Sequence, residues 1–374
     1  MFASATKLDG AAAKRLRSRR KQNGVDMVEL SISGDGRLDG TIETVEMHTG
    51  GEPVRIVTSG YPPIPGATIL DKRRHARENL DHLRKLIMFE PRGHYDMYGV
   101  IPVEPDLPGA DMAVLFIHNE GYSTMCGHAT IALGRYAVDH GIVAPQVPVT
   151  EVRLQCPCGL VNVRVEVERT ADGFATGAAS FESVASFAFA LDQKIDVPGL
   201  GGVTFDVGYG GAFYALVEAA SIGLDLKATP LDRLVDAADR ITKAVAKCLP
   251  LEHPDDPDLA FLYGTILTDG GEGALDPTRN LCVFAEREVD RSPTGSGVSA
   301  RIAVAVARGT LGWGEQRRFE SVTGAVFSGK AVRADKVGRF DAVRVEVGGR
   351  AFYSGRSSFS IEAGDELGRG FLLR

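Results

Sequence analysis

"MCGHATIALGRYAVDHG", Met125 to Gly141, sets a thiol directly before a glycine, a histidine and an apolar run. From Thr130 onward, Ile131, Leu133, Tyr136, Ala137 and Val138 recur three to four residues apart, which predicts a helix buried on one side, closed by Gly141. Cys126 then stands at a helix N-terminus, where unpaired N–H groups and the helix dipole favour negative charge and are expected to lower a thiol pKa. The alternative is a packing role, because free cysteine usually behaves as a small buried hydrophobe.

A second stretch decides how that helix is used. In "DRSPTGSGVSARIAVAVARG", Asp290 to Gly309, setting Thr294 on Cys126 brings Gly295 onto Gly127, Ser296 onto His128 and Gly309 onto Gly141. The offset of 168 residues is nearly half of the 374-residue chain. It predicts an internal repeat of two similar halves, each with one loop-to-helix unit, whose N-termini can face one ligand.

Length and composition agree with this plan. A chain of 374 residues exceeds the usual single core, so two domains are expected. With 44% hydrophobic and 24% charged residues it reads as an ordinary globular protein. No apolar run approaches the roughly 20 residues of a membrane helix. A formal charge of −7 argues against nucleic acid as a partner. Five cysteines in a chain this long form no disulfide framework and suggest a reducing compartment. Cys156 and Cys158, in "CPCGL", lack a second pair or a histidine cluster, so a strand entering a turn is expected there and no metal site. Residues 1–40 include "KRLRSRRK" (Lys14 to Lys21), six basic residues in eight, and read as a disordered, solvated arm. A cytoplasmic location is expected; an Arg-rich mitochondrial presequence is the alternative, weakened by Asp9 and the missing apolar face.

From residue 41 onward, short β-like runs alternate with glycine-rich turns, and helical periodicity is confined to four places: around "DKRRHARENLDHLRKLIMF", after Cys126, in "LDRLVDAADRITKAVAKCL" and after Thr294. The pattern predicts an α+β fold of two pseudo-symmetric lobes, each a curved mixed sheet around a central helix, with the active site in the cleft between them. The first lobe is expected over 41–186 and the second over 187–358. Segment 359–374 can pair with either and is placed with the first.

Cys126-Gly127-His128 and Asp290-Arg291-Ser292-Pro293-Thr294-Gly295-Ser296-Gly297 resemble the paired motifs of the proline racemase family. The resemblance extends through "HTGGEP" (His48 to Pro53), "EPRGHYDMYG" (Glu90 to Gly99) and "GYGGAFYA" (Gly208 to Ala215). It implies a small amino-acid substrate, no cofactor, and a carboxylate held by the backbone N–H groups of Gly127, His128, Gly295 and Ser296. It also implies that Asp290 holds the ring nitrogen and that Tyr98 and Phe284 line the pocket. The sequence alone leaves Asp290 open as a turn residue before Ser-Pro and the two aromatics as core.

Family members that racemise or epimerise carry a cysteine in both motifs, whereas this chain has Thr294 in the second. That departure resembles the trans-3-hydroxy-L-proline dehydratase branch, a hydro-lyase activity in which Cys126 removes the α-proton and Thr294 holds the opposite face. Threonine cannot supply a thiolate-like base near neutral pH. The other readings are a hydroxyproline epimerase or proline racemase, and a non-catalytic amino-acid-binding protein. A homodimer is compatible with the sequence, which does not specify it.

Overall fold

A computed structural model describes residues 40–270 and 276–373. The basic arm expected over 1–40 lies, but for Gly40, outside the described residues. Among the described residues there are eighteen strands and five α-helices: α1 (Ile69–Asn79), α2 (Asp81–Met88), α3 (Gly127–Asp139), α4 (Leu231–Cys248) and α5 (Gly295–Ala307). None of these helices is long and apolar enough to cross a membrane.

The repeat is visible strand by strand. In one half the neighbours run Ala351–Phe359, Ile42–Thr49, Glu52–Ser59, Gly99–Val103, Met112–Ile117, Val149–Cys156, Gly159–Thr170 and Gly173–Glu182. Their successive pairings are antiparallel, antiparallel, parallel, antiparallel, parallel, antiparallel and antiparallel. In the other half, Ser186–Val197, Gly201–Tyr209, Phe213–Glu218, Leu262–Thr268, Thr278–Phe284, Arg317–Glu320, Val326–Val337 and Phe340–Gly349 follow one another in the same order of senses. Parallel neighbours need a crossover connection. The first crossover of each half carries α1 with α2, or α4, and the second carries α3, or α5. A two-residue strand, Tyr122–Ser123 or Glu288–Val289, folds back just before each central helix and aims the next loop at its N-terminus.

Both central helices are buried along nearly their whole length, as helices apolar on all sides are. Each ends alike. Gly141 and Gly309 adopt φ of 68° and 69°. The Ile142 N–H reaches the Ala137 carbonyl at 2.9 Å, and the Thr310 N–H reaches the Ala305 carbonyl at the same distance. These are matched Schellman closures, which only a residue tolerant of positive φ accommodates freely.

We place the seam between lobes at residues 183–185, because Phe340–Gly349 pairs with both Gly173–Glu182 and Ser186–Val197. The chain then crosses back, and Ala351–Phe359 pairs along its whole length with Ile42–Thr49. Beyond it, Phe371 bridges to Glu90 and Arg92 donates to the Ser360 and Gly368 carbonyls. We therefore assign everything from 351 onward to the first lobe. The four helical regions expected from periodicity are present, with the first divided into α1 and α2 at Leu80. Cys156 ends its strand and Cys158 sits in the turn that follows.

Candidate active site

The two central helices meet head to head. An added Cβ on Gly127 would fall 2.3 Å from the Gly295 Cα, and one on Gly295 would fall 2.7 Å from the Gly127 Cα. Only glycine backbones approach this closely. Helix geometry leaves the first N–H groups of α3 and α5 without partners inside their own helices. Gly127, His128, Gly295 and Ser296, which begin the two helices, line one cavity with the other residues singled out in the sequence, Tyr98, Cys126, Phe284, Asp290 and Thr294. Two facing helix N-termini make a ready site for a carboxylate in a protein of net negative charge.

The cavity measures about 10 Å³, on the order of the space needed by one water. A ring-sized ligand does not fit this space as it stands, and the two lobes meet around it. Several bonds hold them together around it. The Arg291 N–H donates to Glu52 Oε2 at 2.6 Å and the Arg291 guanidinium to Asp96 at 2.9 Å. The Asn119 N–H donates to Glu288 Oε1 at 2.5 Å, and the Tyr95 hydroxyl donates to the Glu286 carbonyl.

Cys126 is the N-cap of α3, and its sulfur accepts from the Ala129 N–H at 3.3 Å. The thiol is nonetheless not acidified, contrary to the expectation from its position. Burial pushes its pKa well above the ordinary value, and the negative charges of Asp290 and Glu52 add to the push; hydrogen bonds from the Ala129 N–H and the Tyr98 hydroxyl oppose it and are outweighed. One helix N–H within reach does not offset the loss of water. His128 Nδ1 lies 3.1 Å from the sulfur. Burial drops the imidazole pKa to about 3, and a hydrogen bond with the Pro53 carbonyl works against that drop. His128 is therefore neutral, with one ring nitrogen donating to Pro53 and the other free to accept from the thiol.

Opposite Cys126 stands Thr294, the residue preceding α5, at φ 65° and ψ 86°. A β-branched residue in this region is strained by about 1–3 kcal/mol. Its hydroxyl is buried beside Asp290 and Cys282, within hydrogen-bonding reach of both. Backbone strain of this kind, held in place at a cavity wall, is a mark of a functional position. Asp290 is 4% exposed and accepts from the Ser292 N–H at 2.7 Å. Burial raises its pKa to about 6, against the hydrogen bonds from Ser292 and Thr294 and the charge of Arg291.

Aromatic side chains close the remaining sides. Tyr98 meets His128 edge-on at 4.8 Å, and Phe284 stacks on Tyr263 at 5.1 Å. The Tyr214 hydroxyl bonds Ser296 Oγ at 2.7 Å. Tyr214, Tyr263 and Met125 also line the cavity and were not anticipated as site residues. Tyr214 lies within "GYGGAFYA" and Met125 begins the first quoted stretch, so both carried a signal. Tyr263 sits in an ordinary apolar strand and carried none.

The family model described as "Proline racemase" matches residues 44–372. Trans-3-hydroxy-L-proline dehydratase of Homo sapiens is 54% identical over 338 residues, covering 89% of this chain and 95% of its own. Trans-L-3-hydroxyproline dehydratase of Saccoglossus kowalevskii is 54% identical over 330 residues, covering 88% and 100%. Among solved structures, a hydroxyproline epimerase from Agrobacterium vitis with bound trans-4-OH-L-proline superposes with a TM-score of 0.83. It is 28% identical and covers 90% of this chain and 95% of that one.

Proposed function

The chain belongs to the proline racemase family, and from that premise we propose that it dehydrates trans-3-hydroxy-L-proline to Δ1-pyrroline-2-carboxylate and water. The observation that carries this reading is the pairing of Cys126 with Thr294 across a single closed cavity. A base on one face only can take the α-proton but cannot return a proton to the other face, so two-face exchange is excluded and elimination is open. The dehydratase names of relatives 54% identical over nearly all their length support it.

The substrate chemistry fits this one-sided site. In the trans isomer the 3-hydroxyl and the carboxylate lie on opposite ring faces, so the hydroxyl shares its face with the α-hydrogen. Cys126 therefore stands on the side of both the proton and the leaving group. The N–H groups of Gly127, His128, Gly295 and Ser296 hold the carboxylate and stabilise the charge that develops next to it. Asp290 pairs with the ring ammonium. Thr294 stands at the opposite face, where its hydroxyl, beside Asp290, positions the ring.

The raised thiol pKa has a use in this scheme. When the lobes are apart, water and the α3 N-terminus favour the thiolate; closure strips the water and leaves a stronger base against the Cα–H bond. His128 Nδ1 orients the sulfur in the closed form.

The test is Thr294→Cys, which places a thiol on each face. The variant is expected to epimerise L-proline or 4-hydroxyproline at the α-carbon to a detectable extent, by chiral chromatography and deuterium uptake, while the wild type dehydrates its 3-hydroxy substrate and epimerises neither. Efficient racemisation by the wild type, without imine product, would sink the assignment. A second expected result concerns pH. The kcat/KM should fall as pH drops through about 6, because protonating Asp290 removes the carboxylate that pairs with the ammonium. Asp290→Asn should lower kcat/KM and erase that limb; an unchanged acid limb in the variant would assign it to another group.

A further inference from the structure

Elimination on one face raises a question that the base does not answer: what donates the proton to the departing hydroxyl? Resting on the dehydration reading above, the geometry points to Tyr98 as that acid, with Ser123 fixing its hydroxyl and Cys126 renewing its proton. The donor must stand on the Cys126 side of the ring, on the wall built by the first lobe. Three residues there carry an exchangeable proton: Tyr98, Cys126 and His128.

Two of the three are committed elsewhere. Cys126 starts as a thiolate, and the proton it takes leaves its S–H directed at Cα rather than at the 3-oxygen. His128 is held neutral by burial, with its ring N–H turned to the Pro53 carbonyl and its other nitrogen turned to the sulfur. Tyr98 is the third, and its hydroxyl has a hydrogen-bonding partner in Cys126 that can return its proton. Its hydroxyl lies 2.6 Å from Ser123 Oγ, and Ser123 lies 3.5 Å from the Met125 carbonyl. Ser123 can thus accept from, or donate to, the phenol as the reaction requires. Cys126 and Tyr263 are close neighbours of the same hydroxyl, and burial keeps the phenol protonated. The ring is fixed by Phe116 at 6.4 Å, His118 at 5.9 Å and Phe284 at 6.1 Å.

The steps balance without any added reagent. The Cα–H bond breaks, its proton goes to Cys126 Sγ, and its electron pair is held on Cα and the carboxylate; that pair then becomes the Cα–C3 double bond as the C3–O bond breaks. The Tyr98 Oη–H proton goes to the departing oxygen, which leaves as water. The Sγ–H proton then passes to Tyr98 Oη, restoring phenol and thiolate together. The enamine so formed tautomerises to the cyclic imine.

The experiment is Tyr98→Phe, which removes one oxygen and keeps the ring. Wild type and variant are incubated with trans-3-hydroxy-L-proline in deuterium oxide, following imine product and deuterium at the α-carbon of recovered substrate. Dehydration is expected to fall at least about 100-fold, the usual scale of a general acid, while α-deuterium accumulates in the substrate because proton removal continues without C–O cleavage. Ser123→Ala, which keeps the phenol and deletes its 2.6 Å partner, is expected to show the same separation with about a tenfold loss, the scale of one hydrogen bond. Wild-type dehydration by Tyr98→Phe would overturn the proposal. So would parallel loss of exchange and dehydration in both variants, which would place the hydroxyls in support of Cys126 instead. A wild type that exchanges the α-proton but forms no imine would overturn the dehydratase reading itself, and this assignment with it.

Discussion

Cys126→Ser is expected to lower dehydration by about 10²–10⁴-fold, the contribution of a positioned general base, while the protein melts close to the wild-type temperature. Serine is nearly isosteric and is itself a favoured N-cap, so the Ala129 N–H keeps an acceptor and α3 keeps its start. What serine lacks is an anion: in a cavity that already drives a thiol toward its neutral form, an alkoxide has no standing population. Imine formation followed by NMR, beside a thermal melt, separates the chemical role from a packing role. Near-wild-type turnover in this variant would remove Cys126 from the position of base.

The second large effect is expected from Gly127→Ala, a change of one methyl group. The new Cβ would meet three backbone atoms of Gly295, at 2.3, 2.8 and 2.9 Å. Backbone atoms cannot rotate away as a side chain does, so α3 and α5 must separate by about 1 Å to reach ordinary carbon contacts. A displacement of that size across the reacting centre is enough to cost about 100-fold in rate. The clash acts on closure, and each lobe keeps its own core, so kcat/KM should fall by that order while far-UV circular dichroism is unchanged. A variant with wild-type kcat/KM would show that the helix ends do not approach this closely when the enzyme turns over.

Much of this arrangement was legible in the sequence because it is repeated. Matched glycines after Cys126 and Thr294, and again at Gly141 and Gly309, announce two helices of equal length without reference to anything distant. The order of strands around them was not legible, since parallel neighbours such as Phe213–Glu218 and Leu262–Thr268 are separated by α4 and leave no local mark. Eight of the nine candidate residues lie in the quoted motifs, and Phe284 was named only through the family resemblance. Tyr263 was missed because its site role depends on which face of a buried strand looks into the cavity. The thiol shows a different limit. Helix position can be read from spacing, but the number of waters removed from a sulfur and the carboxylates beside it are properties of the closed pair of lobes. Local reasoning therefore gave the wrong sign for the Cys126 pKa.

The strand Ala351–Phe359 gives the chain a temporal order. Ile42–Thr49, near the start, lies between Glu52–Ser59 and this last strand. During synthesis from the N-terminus, the first lobe's sheet can form all its internal pairings while Ile42–Thr49 still shows an unpaired edge, and that edge persists until more than 300 further residues have emerged. An open edge is a template for pairing with other chains. Ala351–Phe359 covers that edge, so the first lobe's sheet is completed only after the chain has passed through the second lobe.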